Sequence, residues 1–189
     1  MRRKADKILV VDVESTCWEG FPPKGESSEI IEIGIAPVDL RNNRIEKAES
    51  ISVLPETSNV SDYCTELTGI NIKTLKDKGI SYKDAVRKLR EEYNSAAYAM
   101  TSWGDYDRNM FYRMSDMHSV DYPFSPTHIN LKYLFSVWVG MIKLVGLRNA
   151  MEKLDIEFDG RQHCGKDDAY NTAKILVKML KSFPDLNHL

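Results

Sequence analysis

The sequence has little cysteine and no long hydrophobic run. Its 189 residues include three cysteines, Cys17, Cys64 and Cys164, and no CxxC pair. This excludes a typical zinc ribbon or disulfide framework, and reduced thiols of this kind are typical of a cytoplasmic protein. No segment reaches the roughly 18 apolar residues of a membrane span, so we expect no membrane partner. Acidic residues interrupt the apolar run near the N-terminus too early for a signal peptide.

The sequence also lacks an excess of charge of either sign. It contains 26 lysines and arginines against 28 aspartates and glutamates, which gives a net charge of −2. This balance excludes a protein that coats nucleic acid through bulk positive charge. A polyanionic partner would therefore need a local basic patch, or metal ions that mask its phosphates. The length and the hydrophobic fraction of 42% predict a single domain.

Hydrophobic patterns predict three strands in the N-terminal part of the chain. Residues 8–14 begin with four consecutive apolar residues, and residues 29–40 alternate isoleucines with Glu32 and Gly34. Residues 44–54 form the third predicted strand. Because the second and third strands are joined by a short turn, antiparallel pairing is favoured.

The rest of the chain alternates between predicted helices and short strands. Ser81 is a candidate N-cap for a helix over residues 81–95, and a fourth strand follows at residues 97–103. A helix over residues 105–117 precedes a short fifth strand in "PTHIN", and the last helix covers residues 165–183. This order predicts an α/β protein with a mixed sheet.

Two carboxylates stand where the first strand should be buried. Asp12 and Glu14 follow the apolar run of residues 8–11, and side chains two apart on a strand share one face. Burying two like charges costs several kcal/mol unless something compensates them. No lysine or arginine occurs between Lys7 and Lys24. A divalent cation is therefore the favoured compensation.

Other candidate residues lie at the starts of two predicted helices. Asp105 and Asp107 occur in "WGDYDRNMF", and His163, Asp167 and Asp168 occur in "HCGKDDAYNTA". Each also has a simpler explanation, because aspartate is common at helix starts and a lone histidine often has no function.

Taken together, these residues suggest phosphodiester chemistry. Carboxylates without a Cys/His ligand cluster suit Mg²⁺ or Mn²⁺. Two such ions can clamp the attacking and leaving oxygens of a phosphoryl displacement. His163 is a candidate base for the attacking water, since imidazole titrates near neutral pH. The residues alone therefore point to a two-metal phosphodiesterase.

Three motifs resemble those of a known family. "DVEST", "DYDRNMF" and the H-x4-D pattern in "HCGKDDAYNTA" are similar to the motifs of DEDDh exonucleases of the ribonuclease H-like superfamily. Together with "SEIIEIG", "CTELTGI" and "GRQHCGKDDAYNTAKI", they resemble the Eri-type 3′–5′ exoribonucleases, including bacterial stand-alone relatives of the KapD kind. The resemblance covers residues 8–180.

The resemblance implies a fold and an activity. The fold would be a ribonuclease H-like mixed five-stranded sheet, its first three strands antiparallel, flanked by helices, in one exonuclease domain over residues 1–189. The activity would be metal-dependent 3′–5′ hydrolysis of RNA, with single-stranded or structured 3′ ends, to 5′-mononucleotides. Two ions, Mg²⁺ or Mn²⁺, would be bound. A DNA exonuclease or oligoribonuclease of the same fold, and a non-catalytic nucleic-acid-binding or regulatory module, are the alternatives.

The resemblance also assigns site residues. Four carboxylates would bind metal, with His163 as the general base, so the implied catalytic set is Asp12, Glu14, Asp107, His163 and Asp168. Asp107 is preferred to Asp105 because the pair Met110 and Phe111 follows it at the family's offset. Asp168 is preferred to Asp167 by the H-x4-D spacing.

The substrate contacts are predicted more broadly, around the strand-one loop and the motif ends. The resemblance implies that the terminal base lies against the loop after strand one and the "CTELTGI" segment, where the candidate contacts are Ser15, Thr16, Cys17, Trp18, Leu67 and Trp103. Packing in the core is the other explanation for Trp103. Arg108 and Lys166 flank catalytic positions and are predicted to contact phosphate. RNA rather than DNA follows from the resemblance, because contacts to the 2′-hydroxyl decide this choice.

Overall fold

The central strand of the sheet is β1 (Lys7–Ser15), whose apolar run is buried on both faces. It pairs antiparallel with β2 (Ile30–Asp39) and parallel with β5 (Met100–Ser102). The computed structural model describes residues 6–183. The predicted domain of residues 1–189 therefore extends at both ends beyond the described residues. None of the helices described is long and apolar enough to cross a membrane.

Within residues 6–183 the sheet has six strands, where the sequence predicted five. Its order is β3-β2-β1-β5-β6, and β4 pairs with β2 beside β3. β3 (Arg44–Ile45) and β4 (Glu49–Ser52) are antiparallel to β2, whereas β6 (His128–Asn130) is parallel to β5. The antiparallel start and the mixed sheet are thus confirmed.

The predicted third strand is interrupted opposite Pro37. Val38 pairs with Ile45, and Ile35 pairs with Glu49, so residues 46–48 face only two residues of β2. Pro37 has no N–H with which to continue the ladder, which explains a bulge at this point. Residues 44–54 therefore form two short strands instead of one long strand.

Seven helices are described, and most begin or end at residues that the sequence marks. Side-chain oxygens of Ser61, Asn71 and Ser81 accept backbone N–H bonds at three N-termini, which confirms the predicted cap at Ser81. The helices are α1 (Asp62–Thr68), α2 (Ile72–Lys78), α3 (Tyr82–Tyr93), α4 (Tyr106–His118), α5 (Leu131–Trp138), α6 (Leu147–Lys153) and α7 (Gly165–Ser182).

The fourth predicted strand is shorter than expected. A 3-10 turn occupies Ser95–Ala97, and β5 begins only at Met100. Asp105 also stays outside the helix that was predicted to begin there, since α4 starts at Tyr106. Such shifts of one to three residues are ordinary at the ends of elements.

Helices cover both faces of the sheet, so β1 lies in the middle of three layers. Leu9, Val11 and Val13 pack in one cluster with residues of α3 and α4. Ile8 and Val10 pack in a second cluster with residues of α5, α6 and α7. Alternation along a strand therefore places Asp12 and Glu14, the next even positions, on the α7 side of the sheet.

A close contact between glycines brings the start of α7 onto the sheet. A Cβ atom on Gly34 would lie 1.9 Å from the carbonyl oxygen of Gly165. A Cβ atom on Gly165 would lie 3.1 Å from the nitrogen of Gly34 and 3.2 Å from the oxygen of Asp12. The first turn of α7 can approach β1 and β2 this closely because neither residue carries a side chain.

Candidate active site

Carboxylates from three elements meet beside the C-terminal end of β1. Asp12 and Glu14 come from β1, Asp107 from the first turn of α4, and Asp168 from the first turn of α7. Together with His163, they line one cavity of about 280 Å³. The structure therefore brings all five predicted catalytic residues to one place.

Asp107 is fixed to the backbone of the strand that carries the first two carboxylates. Its Oδ1 accepts a hydrogen bond of 2.9 Å from the backbone N–H of Val13. Asp105 instead accepts a bond of 2.8 Å from the amide of Asn130 and lies 3.1 Å from Arg108. Of the two aspartates in this motif, only Asp107 lines the cavity.

His163 and Asp168 are joined by a tight turn before α7. The backbone N–H of His163 donates a 2.8 Å hydrogen bond to Oδ2 of Asp168. His163 has a φ of +61°, a left-handed conformation that costs energy for a residue with a side chain. Its imidazole is exposed, and one ligand atom from each of Glu14, His163 and Asp168 lies within 4.8 Å of the others.

The carboxyl groups of the cluster have pKa values above their ordinary range. Burial, followed by the neighbouring Asp168, raises the pKa of Glu14 to about 8. Burial also raises the pKa of Asp107 and of Asp168 to about 6. The pKa of Asp12 is raised as well, by burial first and then by Asp107. The site is therefore strongly electronegative and short of positive charge.

The donor set fits a hard divalent cation. Oδ1 of Asp168 is buried and has no hydrogen-bond donor among the described residues. Glu14, His163 and Asp168 form the acidic group whose ligand atoms could hold an ion. Carboxylate oxygens are the preferred ligands of such cations, and bound positive charge would relieve the repulsion that raises these pKa values.

Trp103 is the predicted base contact that lines the same cavity. Its indole Nε1–H donates a 3.1 Å bond to the carbonyl of Val145, and its ring centroid lies 5.5 Å from that of Phe135. Trp103 thus packs on the core and also borders the cavity, and its contact with a base stays a prediction. Leu67 and Trp18 are half-buried and do not line the cavity.

The side chains of Ser15 and Thr16 are engaged within the protein. Oγ of Ser15 lies 2.5 Å from the hydroxyl of Tyr106. Thr16 is fully buried, and its hydroxyl bonds to Ser58 at 2.7 Å and accepts the N–H of Glu29 at 2.8 Å. The Thr16 hydroxyl is therefore engaged inside the fold, and contact of Thr16 with substrate stays a prediction.

Three other predicted substrate contacts lie outside the cavity. Arg108 is paired with Asp105, and Nζ of Lys166 lies 3.7 Å from Asp167. Cys17 is half-buried and directly precedes Trp18 in the loop after β1. Arg108 and Lys166 remain predictions for phosphate contact, each with a carboxylate already close to its charge.

Sequence reasoning missed several residues of this region. Tyr106, Leu147 and Gln162 line the cavity, and Glu32 is buried opposite Glu14 in the β1–β2 register. The alternation of isoleucines with polar residues along β2 puts Glu32 on the polar face of the strand. In the structure, α7 covers that face. Only the register of a hairpin joined by a long loop could have revealed this position.

Known proteins are similar to this chain in sequence. The human 3′-5′ exoribonuclease 1 is 31% identical over 186 residues, which cover 93% of this chain and 53% of the relative. ERI1 exoribonuclease 2 from Xenopus laevis is 30% identical over 223 residues, which cover 99% of this chain and 31% of the relative. This chain therefore spans about half or less of the length of these two relatives.

A solved structure and a family profile agree with these relatives. The nuclease domain of 3′hExo, a DEDDh family member bound to rAMP, has a TM-score of 0.80 and 28% sequence identity to this chain. The match covers 93% of this chain and 92% of that chain. The exonuclease profile (RNase_T) matches residues 9–176, a range that contains every residue lining the cavity. The chain that places these carboxylates around one cavity therefore belongs to the exonuclease family.

Proposed function

We propose that this chain is a metal-dependent 3′–5′ exonuclease that hydrolyses RNA and releases 5′-mononucleotides. The observation that carries the proposal is the single cavity in which four carboxylates and an exposed imidazole meet. Such a set supplies metal ligands and a proton acceptor, the two functions that water attack on a phosphodiester needs. The relatives named as exoribonucleases support RNA as the substrate class.

Asp12, Glu14, Asp107 and Asp168 would hold the metal ions, and Mg²⁺ or Mn²⁺ fits their oxygen ligands. Two ions bound there would stabilise the negative charge that develops on the attacking and leaving oxygens. Because Glu14 has a pKa of about 8, metal binding at neutral pH would release a proton from this cluster. Oδ1 of Asp168, which has no hydrogen-bond donor among the described residues, would be one of the ligand atoms.

His163 would act as the general base. Its ring is exposed and borders the cavity, while its backbone N–H is occupied by Asp168. A neutral imidazole nitrogen can accept the proton of the attacking water as the new phosphorus–oxygen bond forms. The bond from phosphorus to the 3′-oxygen of the preceding nucleotide breaks, and this oxygen takes up a proton from water. The backbone bond to Asp168 couples the position of this ring to the position of a metal ligand.

The terminal nucleotide would lie beside the aromatic wall of the cavity. Trp103 and Tyr106 line that wall. Stacking of a base on an aromatic ring is worth about 1–3 kcal/mol and accepts any base. A solved relative with 28% identity carries rAMP, a ribonucleotide of the size expected for one product unit.

A single-stranded RNA labelled at its 3′ end tests the proposal. With Mn²⁺ or Mg²⁺, we expect labelled mononucleotide to be the first product, and with EDTA we expect no product. Internal fragments of many lengths would contradict exonuclease activity. Binding of RNA without cleavage in the presence of Mn²⁺ would favour a non-catalytic module.

The choice of nucleic acid needs its own comparison. RNA and DNA of the same sequence, carrying different labels, compete in one reaction. We expect RNA to be shortened faster. Faster loss of the DNA would identify a DNA exonuclease, and activity confined to fragments of a few nucleotides would identify an oligoribonuclease.

A further inference from the structure

A fifth carboxylate, Glu32, lies next to the catalytic cluster without lining the cavity. It is 6% exposed and pairs across the sheet with Glu14. Its charge contributes to the raised pKa values of Asp12, Glu14 and Asp168. A buried acid that makes its neighbours harder to ionise is expected to have a compensating structural or functional use.

Both carboxylate oxygens of Glu32 are occupied by donors. Oε2 accepts a 2.8 Å hydrogen bond from the backbone N–H of Gly165, and Oε1 accepts a 2.5 Å bond from the hydroxyl of Ser50. These contacts differ from those of Asp168, which keeps one oxygen without a donor from residues 6–183. Glu32 is therefore a poor candidate for a metal ligand and a good candidate for an anchor.

The N–H group that donates to Glu32 belongs to the first residue of α7. An N–H at a helix start has no partner within the helix, and a carboxylate is a favourable acceptor there. Asp168 lies three residues further on and receives the N–H of His163, which precedes the helix. The anchor on Gly165 therefore sets the positions of a predicted metal ligand and the predicted base together.

The packing between β2 and the first turn of α7 leaves little free space. Gly34 and Gly165 already touch backbone to backbone, and Oε2 of Glu32 would lie 3.3 Å from a Cβ atom on Gly165. A change in the reach of the Glu32 side chain must then tilt or shift the first turn of α7. Displacements of about 1 Å in a catalytic site can lower rates by about 10²-fold.

We propose that Glu32 is a positioning residue that acts through its hydrogen bond to Gly165, holding the first turn of α7 so that Asp168 and His163 face the β1 carboxylates. The part of this inference that concerns catalysis rests on the proposed function. The part that concerns the hydrogen bond is independent of it and has a separate readout.

Two conservative substitutions separate the reach of Glu32 from its charge. Glu32→Gln removes the charge but keeps the length, so its Oε1 can still accept from Gly165 and its amide can donate to Ser50. Glu32→Asp keeps the charge but withdraws the carboxylate by about 1.5 Å, one carbon–carbon bond. Glu49→Gln and Glu49→Asp are matched controls, because Glu49 lies in the same sheet and bonds to Tyr93 and Lys47 instead.

The first readout is the exchange rate of the Gly165 amide in metal-free protein, measured by NMR. We expect faster exchange in Glu32→Asp and a rate close to wild type in Glu32→Gln. The second readout is RNA hydrolysis with Mn²⁺. We expect Glu32→Asp to lose at least about 10-fold in kcat with little change in KM, and Glu32→Gln to stay within about threefold of wild type.

The outcomes are distinct. Loss of activity in Glu32→Gln equal to that in Glu32→Asp would overturn the proposal, because removing the charge would then matter as much as shortening the reach of the side chain. Wild-type exchange and activity in both variants would overturn it as well. If the wild-type chain hydrolyses no RNA, the proposed function fails, and the Gly165 exchange rates still decide whether Glu32 anchors α7.

Discussion

At the scale of single residues, the site is built from groups held in unfavourable states. His163 has a left-handed backbone, and Glu14 has a raised pKa. One oxygen of Asp168 is buried without a donor in the part of the chain that the structure describes. Each of these features costs stability in the metal-free protein. Their concentration around one cavity is the physical reason for treating the cavity as functional rather than as ordinary packing.

The backbone of His163 leads to a prediction that separates stability from activity. At a φ of +61°, glycine pays no Cβ penalty, whereas alanine does. We expect His163→Gly to unfold at higher urea than His163→Ala, by about 1 kcal/mol in free energy of unfolding. Both variants should lose at least about 10²-fold in RNA hydrolysis, because neither can accept the proton of the attacking water.

Gln162→Ala serves as the neighbouring control, since Gln162 lines the cavity but carries no base. It should retain the stability of the wild type within about 0.5 kcal/mol. An alanine variant of His163 as stable as the glycine variant would show that the left-handed backbone is not maintained in solution.

The raised pKa of Glu14 leads to a prediction about pH. The folded state holds this proton until about pH 8, whereas a glutamate in the unfolded chain loses it near pH 4.3. Its contribution to stability is therefore complete below about pH 4 and is lost as pH rises towards 8. In EDTA, we expect wild type to lose stability relative to Glu14→Gln across this window, measured by urea unfolding at pH 5 to 8.5. A growing advantage for wild type with rising pH would contradict the assignment.

Single residues also show what the sequence could predict. Asp12 and Glu14 were predictable because their spacing fixes a shared face on any strand. Asp107 and Asp168 needed the family motifs, because aspartates at helix starts are common. Glu32 could not be identified, since its partner depends on the register of two strands joined by a long loop.

At the scale of elements, the site depends on how α7 sits on the sheet. The contact of Gly34 with Gly165 allows this approach, and a Cβ atom on Gly34 would overlap the Gly165 backbone. We expect Gly34→Ala to destabilise the protein by at least about 2 kcal/mol and to lower RNA hydrolysis, because α7 must move away from β1.

Gly146→Ala is the matched control for this substitution. Gly146 has an ordinary φ of −67°, and a Cβ atom there meets nothing within 4 Å. Its free energy of unfolding should change by no more than about 0.5 kcal/mol in urea titration. Equal stability of the two variants would show that the close approach of α7 is not required.

Sequence patterns also predict some helices and strands more accurately than others. The long helices α3 and α7 were predictable because their apolar residues recur with helical spacing. The break between β3 and β4 was not predicted, although Pro37 is visible in the sequence, because its effect falls on the strand that faces it. The short β5 and β6 were predicted from their own residues, but their ends depend on pairing with β1 and with each other.

At the scale of the whole molecule, the net charge of −2 is small, but the negative charges are distributed very unevenly. Four carboxylates share one cavity of about 280 Å³, and Arg161 is the cation that lowers the pKa of Glu14 there. An RNA phosphate would be repelled from this cavity unless cations were bound first. Cleavage of RNA in this acidic cavity, as proposed, therefore requires that the carboxylate cluster binds metal.

The melting temperature as a function of added Mn²⁺ tests this central claim most directly. A ligand at 100 times its Kd stabilises the folded state by about 2.7 kcal/mol, which corresponds to a rise of about 5–10 °C for a chain of this size. We predict such a rise for wild type at pH 7.5, and a much smaller rise for Asp168→Asn, which lacks one of the carboxylates proposed to bind metal. A wild-type melting temperature unchanged by Mn²⁺ would contradict the account.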